Sequence, residues 1–432
     1  MNWRKLFSFA AAGAICAGFL PGCTSPAKNS SKTGGSSKVT IQVAVSGSAQ
    51  EIAVHQQKFD LYTSKHPNIK IQPINIGDDR VQKTLTLISA GSAPDILYVN
   101  EYTYVFAAKG VLHPLDDQIK RDSFDISTFN ESLLVPLRYQ GKLYALPQEV
   151  SPFVIYYNKD MFQAAGLPFP TDKWTIDEFY TDAKKLTNPS KKVYGYRQPT
   201  NWPDQILGWL SRGGVDFDIS GKTVDSSLNT PQTLKVLQFL HTMVAVDKVS
   251  PNPAELTAMG KGADVVFRNQ KVAMESQGLW MLPQYKAEPL AFQWDIVRVP
   301  KDQNQRTKAG ILNWAISTSS HNMDAAWDLL KFMVGPDGMK IVAKNNMALP
   351  ASKDTAANQI VLDSKFPPNV KAFIDSVPDV DLRDERSTVR DQVNTEINDE
   401  VERMLLNKES PEDTQKALVQ KIDAILAQAQ SK

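Results

Sequence analysis

The chain has 432 residues, which is long enough for two domains of roughly 150–200 residues each. Of these residues 42% are hydrophobic and 22% charged, so the chain is too apolar to be disordered throughout. Its 48 basic and 47 acidic residues nearly cancel, which argues against a nucleic-acid partner because such a partner needs a concentrated basic face. The sequence contains no glycine-rich phosphate loop and no metal-ligand spacing among its five histidines. We therefore expect neither a cofactor nor a metal site.

The N-terminal region is typical of an exported lipoprotein. Two basic residues at positions 4–5 precede the uncharged apolar stretch 6–20, which is too short for an ordinary transmembrane helix. The stretch ends at Leu20-Pro21-Gly22-Cys23, which resembles the lipobox of bacterial lipoproteins except at its proline. Residues 1–22 are therefore predicted to be a signal peptide, and Cys23 is predicted to carry the lipid.

The segment after this signal lacks the residues that build a core. Between Thr24 and Ser37 the only aliphatic side chain is Ala27, so residues 23–38 are predicted to be a flexible tether. The other cysteine, Cys16, lies within the apolar stretch and is interpreted as a small residue of the signal. The folded body is thus expected at the extracellular face of the bacterial cell membrane, held there by the lipid alone.

The first part of the body alternates between strand and helix patterns. Strands are predicted over 39–45, 69–76 and 95–99, and helices over 49–66, 79–90 and 101–109. Such alternation predicts an α/β fold with a parallel sheet covered on both faces. Ligands of these sheets bind beyond the carboxyl ends of the strands, where the loops 46–48, 77–80 and 100–102 fall.

The second part continues the pattern more irregularly. A strand is predicted over 153–157, and a capping box at Thr175 opens a helix that runs to Leu186. Further on, the patterns predict helices over 230–246 and 325–334, a strand over 311–317, and two terminal helices parted near 408–411.

Several segments together resemble the extracellular solute-binding proteins of ABC importers, in their large sugar-binding branch. They are Ala93-Pro94-Asp95-Ile96, Tyr144-Ala145-Leu146-Pro147, the YYNKDMF segment at 156–162, WTIDEF at 174–179, FRNQKVAM at 267–274 and Asn313-Trp314-Ala315-Ile316. The resemblance runs in order from about Val39 to Ala351. It implies a monomeric lipoprotein that binds a carbohydrate, an oligosaccharide, and delivers it to the permease subunits of an ABC importer.

The resemblance also implies the architecture. The fold is a two-lobe, periplasmic-binding-protein-like α/β fold with discontinuous lobes, a hinge of crossing segments and a ligand cleft between the lobes. The N-terminal lobe is predicted to comprise 39–148 and 300–347, and the C-terminal lobe 149–299 and 348–432. Closure of such lobes about a hinge buries the ligand.

Polar candidates for the ligand site come from the strand ends and the first crossing. Asn100 and Glu101 align with the ligand loop of the family, although an N-cap on the next helix is the alternative. The family commonly binds a ligand hydroxyl at the first crossing, where Glu149 and Ser151 lie. The remaining polar candidates are Ser46, which closes the first strand, Asp79 and Arg80, which could instead form a local ion pair, and Asp204.

A sugar cleft also needs flat apolar surfaces for the C–H faces of the ring. Trp280 and Trp202 lie in predicted loops and are the aromatic candidates, whereas for Trp314 the cleft and the core remain open. Trp174, Trp209, Trp294 and Trp327 are interpreted as structural residues.

Competing functions remain open at this level. An enzyme is disfavoured because no hydrolase motif such as GxSxG or HExxH occurs, so no catalytic residue is proposed. A secreted carbohydrate-active enzyme needs only two facing carboxylates, however, and a chain with 47 acids could supply them. A receptor for a non-sugar solute, or a sensor or adhesin, would share the same body plan.

Overall fold

The computed structural model describes residues 38–77, 79–199, 225–260, 265–353, 355–382 and 386–430. Its strands are β1 (Val39–Val45), β2 (Ile69–Asn75), β3 (Ile96–Tyr98), β4 (Arg138–Tyr139), β5 (Lys142–Leu143), β6 (Ala145–Pro152), β7 (Val154–Asn158), β8 (Met274–Gln277), β9 (Trp294–Val297), β10 (Ala309–Ile316) and β11 (Leu349–Pro350). In this part of the chain no helix is both long and apolar enough to cross a membrane.

The helices lie mainly between and after these strands. They are α1 (Ala49–Lys65), α2 (Arg80–Ser89), α3 (Thr103–Ala108), α4 (Asp116–Asp122), α5 (Glu131–Leu134), α6 (Lys159–Ala164), α7 (Ile176–Leu186), α8 (Asp225–Leu228), α9 (Pro231–His241), α10 (Pro253–Met259), α11 (Val265–Arg268), α12 (Met281–Ala287), α13 (Met323–Val334), α14 (Pro336–Lys344), α15 (Thr355–Asp363), α16 (Lys371–Ser376), α17 (Arg390–Leu405) and α18 (Pro411–Gln430).

Local capping chemistry sets where two of the helices, α1 and α7, begin. The Ser48 side chain accepts a hydrogen bond from the Glu51 backbone N–H, and the Glu51 carboxylate accepts one from the Ser48 backbone. Thr175 and Glu178 form the same reciprocal pair at the start of α7, as the sequence predicts. Each pair satisfies backbone N–H groups that have no partner within the helix.

The larger sheet has six strands in the order β11-β6-β10-β3-β1-β2. β1 pairs in parallel with both β2 and β3, whereas β10 is antiparallel to β3 and to β6. The prediction of a parallel sheet is therefore correct only for β1–β3. The mixed arrangement arises because β6 and β10 come from later chain segments, which enter this sheet in opposite directions.

A smaller antiparallel sheet has the order β8-β7-β9. Only Phe153 separates β7 from β6, so the chain passes directly from one sheet to the other there. It returns through residues 298–308 into β10. The predicted first crossing, where Glu149 and Ser151 lie, thus falls within β6, which pairs with strands of the larger sheet as far as Pro152.

The buried apolar residues form cores on both sheets. One core surrounds the larger sheet and includes Trp314 and Trp327, neither of which is exposed. Another packs the smaller sheet against α7, α9 and the terminal helices α17 and α18. The cavity described next lies where β6 and β10 approach the start of α12.

Candidate functional site

A cavity of about 290 Å³ collects most of the polar residues singled out in the sequence. Six predicted site residues line it, namely Arg80, Asn100, Glu101, Glu149, Ser151 and Trp280. They are contributed by α2, the turn after β3, β6 and the residue preceding α12. Segments far apart in sequence therefore meet at one surface, which is the arrangement that a ligand site requires.

Three predicted site residues do not line the cavity. Ser46 is buried, and its hydroxyl donates a hydrogen bond to the Gly77 carbonyl at 2.7 Å, so it holds the loop after β1. Asp79 is exposed at the start of α2. Trp314 is fully buried in the core because its strand, β10, is central in the larger sheet. The Trp314 indole N–H donates a hydrogen bond of 2.8 Å to the Gln148 side chain. Trp202, Asp204 and Cys23 lie outside the described residues.

Trp280 supplies the aromatic surface of the cavity. Its ring lies against two glycines, and a Cβ added at Gly278 or Gly310 would lie 2.0 Å or 2.7 Å from ring carbon Cζ3. Phe153 contacts the same indole edge-to-face, with ring centroids 5.3 Å apart. Close by, the Ser151 hydroxyl oxygen accepts a hydrogen bond of 2.6 Å from the Leu279 backbone N–H. The indole is therefore fixed by contacts from both sheets.

The turn after β3 presents polar groups from the opposite direction. Asn100 has a left-handed backbone with φ 40°, a conformation uncommon outside glycine, and its carbonyl accepts a hydrogen bond of 3.0 Å from the Asn313 side chain. Next to it, Arg80 forms an ion pair of 3.4 Å with Glu101, and its guanidinium lies 5.7 Å from the centroid of the Tyr98 ring. Arg80 thus pairs with Glu101 in the cavity wall, whereas the local ion pair considered from the sequence is that of Arg80 with Asp79.

A buried pair of opposite charges lies behind Glu149. The Lys58 ammonium, fully buried on α1, is 3.8 Å from the Glu149 carboxylate, which itself accepts a hydrogen bond from the Gln148 amide. Burial lowers the pKa of Lys58 to about 8, against the opposing effect of Glu149. Burial likewise raises the pKa of Glu149, while Lys58 lowers it. Each group therefore stabilises the charged form of the other.

Residues not predicted from the sequence complete the wall. Glu51, Tyr98, Gly310, Met347 and Ala348 also line the cavity. The sequence explains Glu51 as a helix-capping residue and Tyr98 as a strand residue, so neither is predicted to line a cavity. Gly310 carries the most usable signal, since a glycine in an otherwise apolar strand indicates the close approach of another group.

Within the ranges the structure describes, no cluster of three or more His, Cys, Asp or Glu side chains could hold a metal ion. The lining side chains offer instead three carboxylates, a guanidinium, one amide, two hydroxyl groups and one indole. These groups can accept and donate hydrogen bonds and can stack on an apolar ring face.

Comparison with known proteins places these features in context. Residues 46–340 match the family model described as bacterial extracellular solute-binding protein. A binding protein of Brucella abortus is 26% identical over 368 residues, covering 84% of this chain and 87% of the relative. The maltotriose-binding protein of Pyrococcus abyssi is 24% identical over 301 residues, covering 68% of this chain and 62% of that protein.

A solved structure is similar over nearly the whole body. It is an ABC substrate-binding protein from Listeria monocytogenes in complex with cycloalternan, with 27% identity and a TM-score of 0.81. The match covers 90% of this chain and 99% of that one. This similarity confirms the predicted fold class, a two-lobe α/β fold of the periplasmic-binding-protein type.

The contact between Gly310 and Trp280 generates a prediction about packing. Gly310→Ala should cost about 1–3 kcal/mol of unfolding free energy, because the new methyl group overlaps the indole. Urea denaturation measures this cost. In a Trp280→Ala background the same substitution should cost much less, and an equal cost in both backgrounds would contradict the contact.

The buried ammonium generates a prediction about pH. Between about pH 8 and pH 9.5 the folded chain releases the Lys58 proton while the unfolded chain, with its lysine pKa near 10.5, retains it. Unfolding then takes up a proton, so Lys58 makes the unfolding free energy rise with pH by at most about 1.4 kcal/mol per pH unit. Lys58→Met should remove this contribution, whereas Lys70→Met, at an exposed lysine, should keep the wild-type slope. Identical slopes in all three proteins would contradict the assignment.

Proposed function

The chain belongs to the bacterial extracellular solute-binding protein family, and from this premise we propose that it is a receptor that binds an oligosaccharide and delivers it to an ABC importer. Its ligand would bind in a cleft between the body built on the larger sheet and the body built on the smaller one. The permease subunits of the importer would be its protein partner. We further propose that it acts as a monomer and releases its ligand chemically unchanged.

The observation that carries this proposal is the pairing of one indole face with several hydrogen-bonding side chains in a single cavity. Trp280 offers a flat apolar surface of the kind that covers the C–H face of a sugar ring. Glu149, Glu101 and Asn100 offer planar acceptors for its hydroxyl groups. An apolar platform with a few placed polar groups is the usual composition of a small-molecule site.

The charges of the wall support a neutral ligand. Among the described residues that line the cavity, Glu51, Glu101 and Glu149 are acidic and Arg80 is basic, and Arg80 is already paired with Glu101. Lys58 behind the wall offsets the charge of Glu149, and the one net negative charge that remains would repel a phosphate or carboxylate ligand at short range. A saccharide without charge incurs no such repulsion. The saccharides bound by the Listeria and Pyrococcus relatives support the same class.

The lobe boundaries and the anchor belong to the same proposal. We propose that the crossings are the β6–β7 junction, residues 298–308 and the region of β11. We also propose that residues 1–22 direct export, that Cys23 is acylated, and that the body works at the outer face of the cell membrane. The family name, which specifies extracellular proteins, supports the location.

A thermal-shift screen of residues 38–432 against mono-, di- and oligosaccharides tests the ligand class, because a ligand that binds only the folded state raises the melting midpoint. Glycerophosphodiesters and amino acids serve as the non-sugar arm. A shift with a saccharide that is not consumed supports the receptor. A shift only in the non-sugar arm, or turnover of the sugar, would replace it with the non-sugar receptor or the enzyme.

Trp280→Ala should weaken binding of the saccharide identified in this screen by at least about tenfold, because it removes the stacking surface. Isothermal titration calorimetry gives the dissociation constant. The control is Phe169→Ala, which removes an aromatic ring at the surface outside this cavity and should leave the affinity unchanged. Equal affinities of wild type and Trp280→Ala would remove this residue from the site.

The anchor is tested by comparing the two cysteines in the full chain expressed in a bacterial host. Cys23→Ala should abolish incorporation of labelled palmitate, because no thiol would remain in the lipobox-like sequence. Cys16→Ala should retain the label. Labelled Cys23→Ala protein would contradict the proposed lipidation site.

A further inference from the structure

Lys58 is an unusual residue for the inside of a protein. Its side chain has no solvent exposure, and within the described part of the chain its Nζ finds no hydrogen-bond partner. A buried ammonium without partners is strongly destabilising unless an opposite charge compensates it. The carboxylate of Glu149, 3.8 Å away, supplies that charge.

The position of Lys58 on α1 directs it toward the cavity wall. Glu51, His55 and Lys58 are spaced so that they share one face of the helix. Glu51 lines the cavity, whereas His55 packs against the rings of Tyr98 and Trp314, with centroids 6.4 Å and 5.4 Å from its own. Burial, followed by the charge of Lys58, holds the pKa of His55 well below its ordinary value, so His55 adds no positive charge near Glu149.

The other groups around Glu149 do not replace Lys58. On β6 itself Gln148 donates one hydrogen bond to the carboxylate, and from α1 Glu51 adds a second negative charge. Tyr98 on β3 is neutral at physiological pH, since burial raises its pKa to about 12. The residues opposite Glu149 in the neighbouring strands, Leu312 on β10 and Pro350 on β11, carry no charge. Among the described residues, Lys58 is the cation that pairs with this carboxylate.

We infer that Lys58 is a positioning residue for ligand recognition, which from behind the cavity wall keeps Glu149 an ionised, acceptor-only carboxylate. The effect of Lys58 on ligand binding rests on the proposed function, whereas its effect on the ionisation of Glu149 does not. An ionised carboxylate accepts hydrogen bonds at both oxygens, whereas the protonated acid uses one oxygen as a donor. Hydrogen bonds to an ionised acceptor are also the stronger ones. Lys58 therefore sets which hydrogen bonds the cavity offers to a hydroxyl ligand without touching the ligand.

The ionisation of the pair can be measured without any ligand. Carbon-13 NMR of the glutamate carboxyl groups follows the titration of Glu149, whose signal is assigned by its absence in Glu149→Gln. In Lys58→Met the Glu149 titration should move to higher pH than in wild type, because an opposite charge within a few ångströms favours the charged form. Coincident titrations in the two proteins would overturn the inference.

A second measurement covers the case in which Lys58→Met does not fold. Nitrogen-15 NMR of the lysine Nζ atoms then compares wild type with Glu149→Gln, which keeps the shape of the side chain. Loss of the carboxylate should move the Lys58 titration to lower pH, since burial is no longer opposed. An unchanged Lys58 titration would overturn the inference as well.

The binding consequence is tested with maltotriose by calorimetry at about pH 6, 7 and 7.5. Wild-type affinity should be nearly constant, whereas Lys58→Met should lose up to about tenfold in affinity for each pH unit below its Glu149 midpoint. The double variant Lys58→Met/Glu149→Gln should bind weakly at every pH. A pH-independent affinity in Lys58→Met equal to that of wild type would overturn the inference. If wild type binds no maltotriose and no saccharide from the screen, the proposed function fails, while the NMR titrations still decide the role of Lys58.

Discussion

The antiparallel pairing of β6 with β10 is the interaction on which the candidate site depends. This pairing places Ser151 opposite Gly310 and Glu149 opposite Leu312. The two strands come from distant parts of the chain, so neither segment forms the cavity wall by itself. Because β6 continues almost directly into β7, the same strand also fixes the smaller sheet, and with it Trp280, relative to the larger one. The polar and aromatic halves of the site are thereby held in one framework.

The wall built on this pairing contains more charge than a simple apolar core would tolerate. Lys58 and Glu149 are both buried, which disfavours their charged forms, and the opposite charge of each partner acts against this effect. Gln148 extends the arrangement, since its side chain donates to Glu149 and accepts from the Trp314 indole at 2.8 Å. A core tryptophan is thus linked through one amide to a carboxylate that lines the cavity. This continuity explains why core and site cannot be treated as separate parts of the larger sheet.

Local sequence signals predicted much of this structure, and long-range burial explains what they missed. The capping box at Thr175 and the strand at 39–45 depend on neighbouring residues, and both are found as predicted. Trp314 is buried because β10 lies between β6 and β3, and the residues near Trp314 in sequence do not indicate this position. The burial of Lys58 is harder still to predict from the sequence, because a lysine on an amphipathic helix is ordinarily a surface residue. Six polar or aromatic candidates met at one cavity because the strand-end rule applied to β2 and β3 and the family resemblance supplied β6 and Trp280.

The contact of Trp280 with two glycines has a consequence for how the two sheets are held together. Gly278 belongs with the smaller sheet and Gly310 with the larger, and the indole touches both. Separation of the two sheets would expose part of that ring to water, so the contact itself favours their approach. A bound sugar would meet the same aromatic side chain that already bridges the gap. Because the chain has seven other tryptophans, the difference in fluorescence between wild type and Trp280→Phe would then report whether the two halves of the molecule are in contact at this ring.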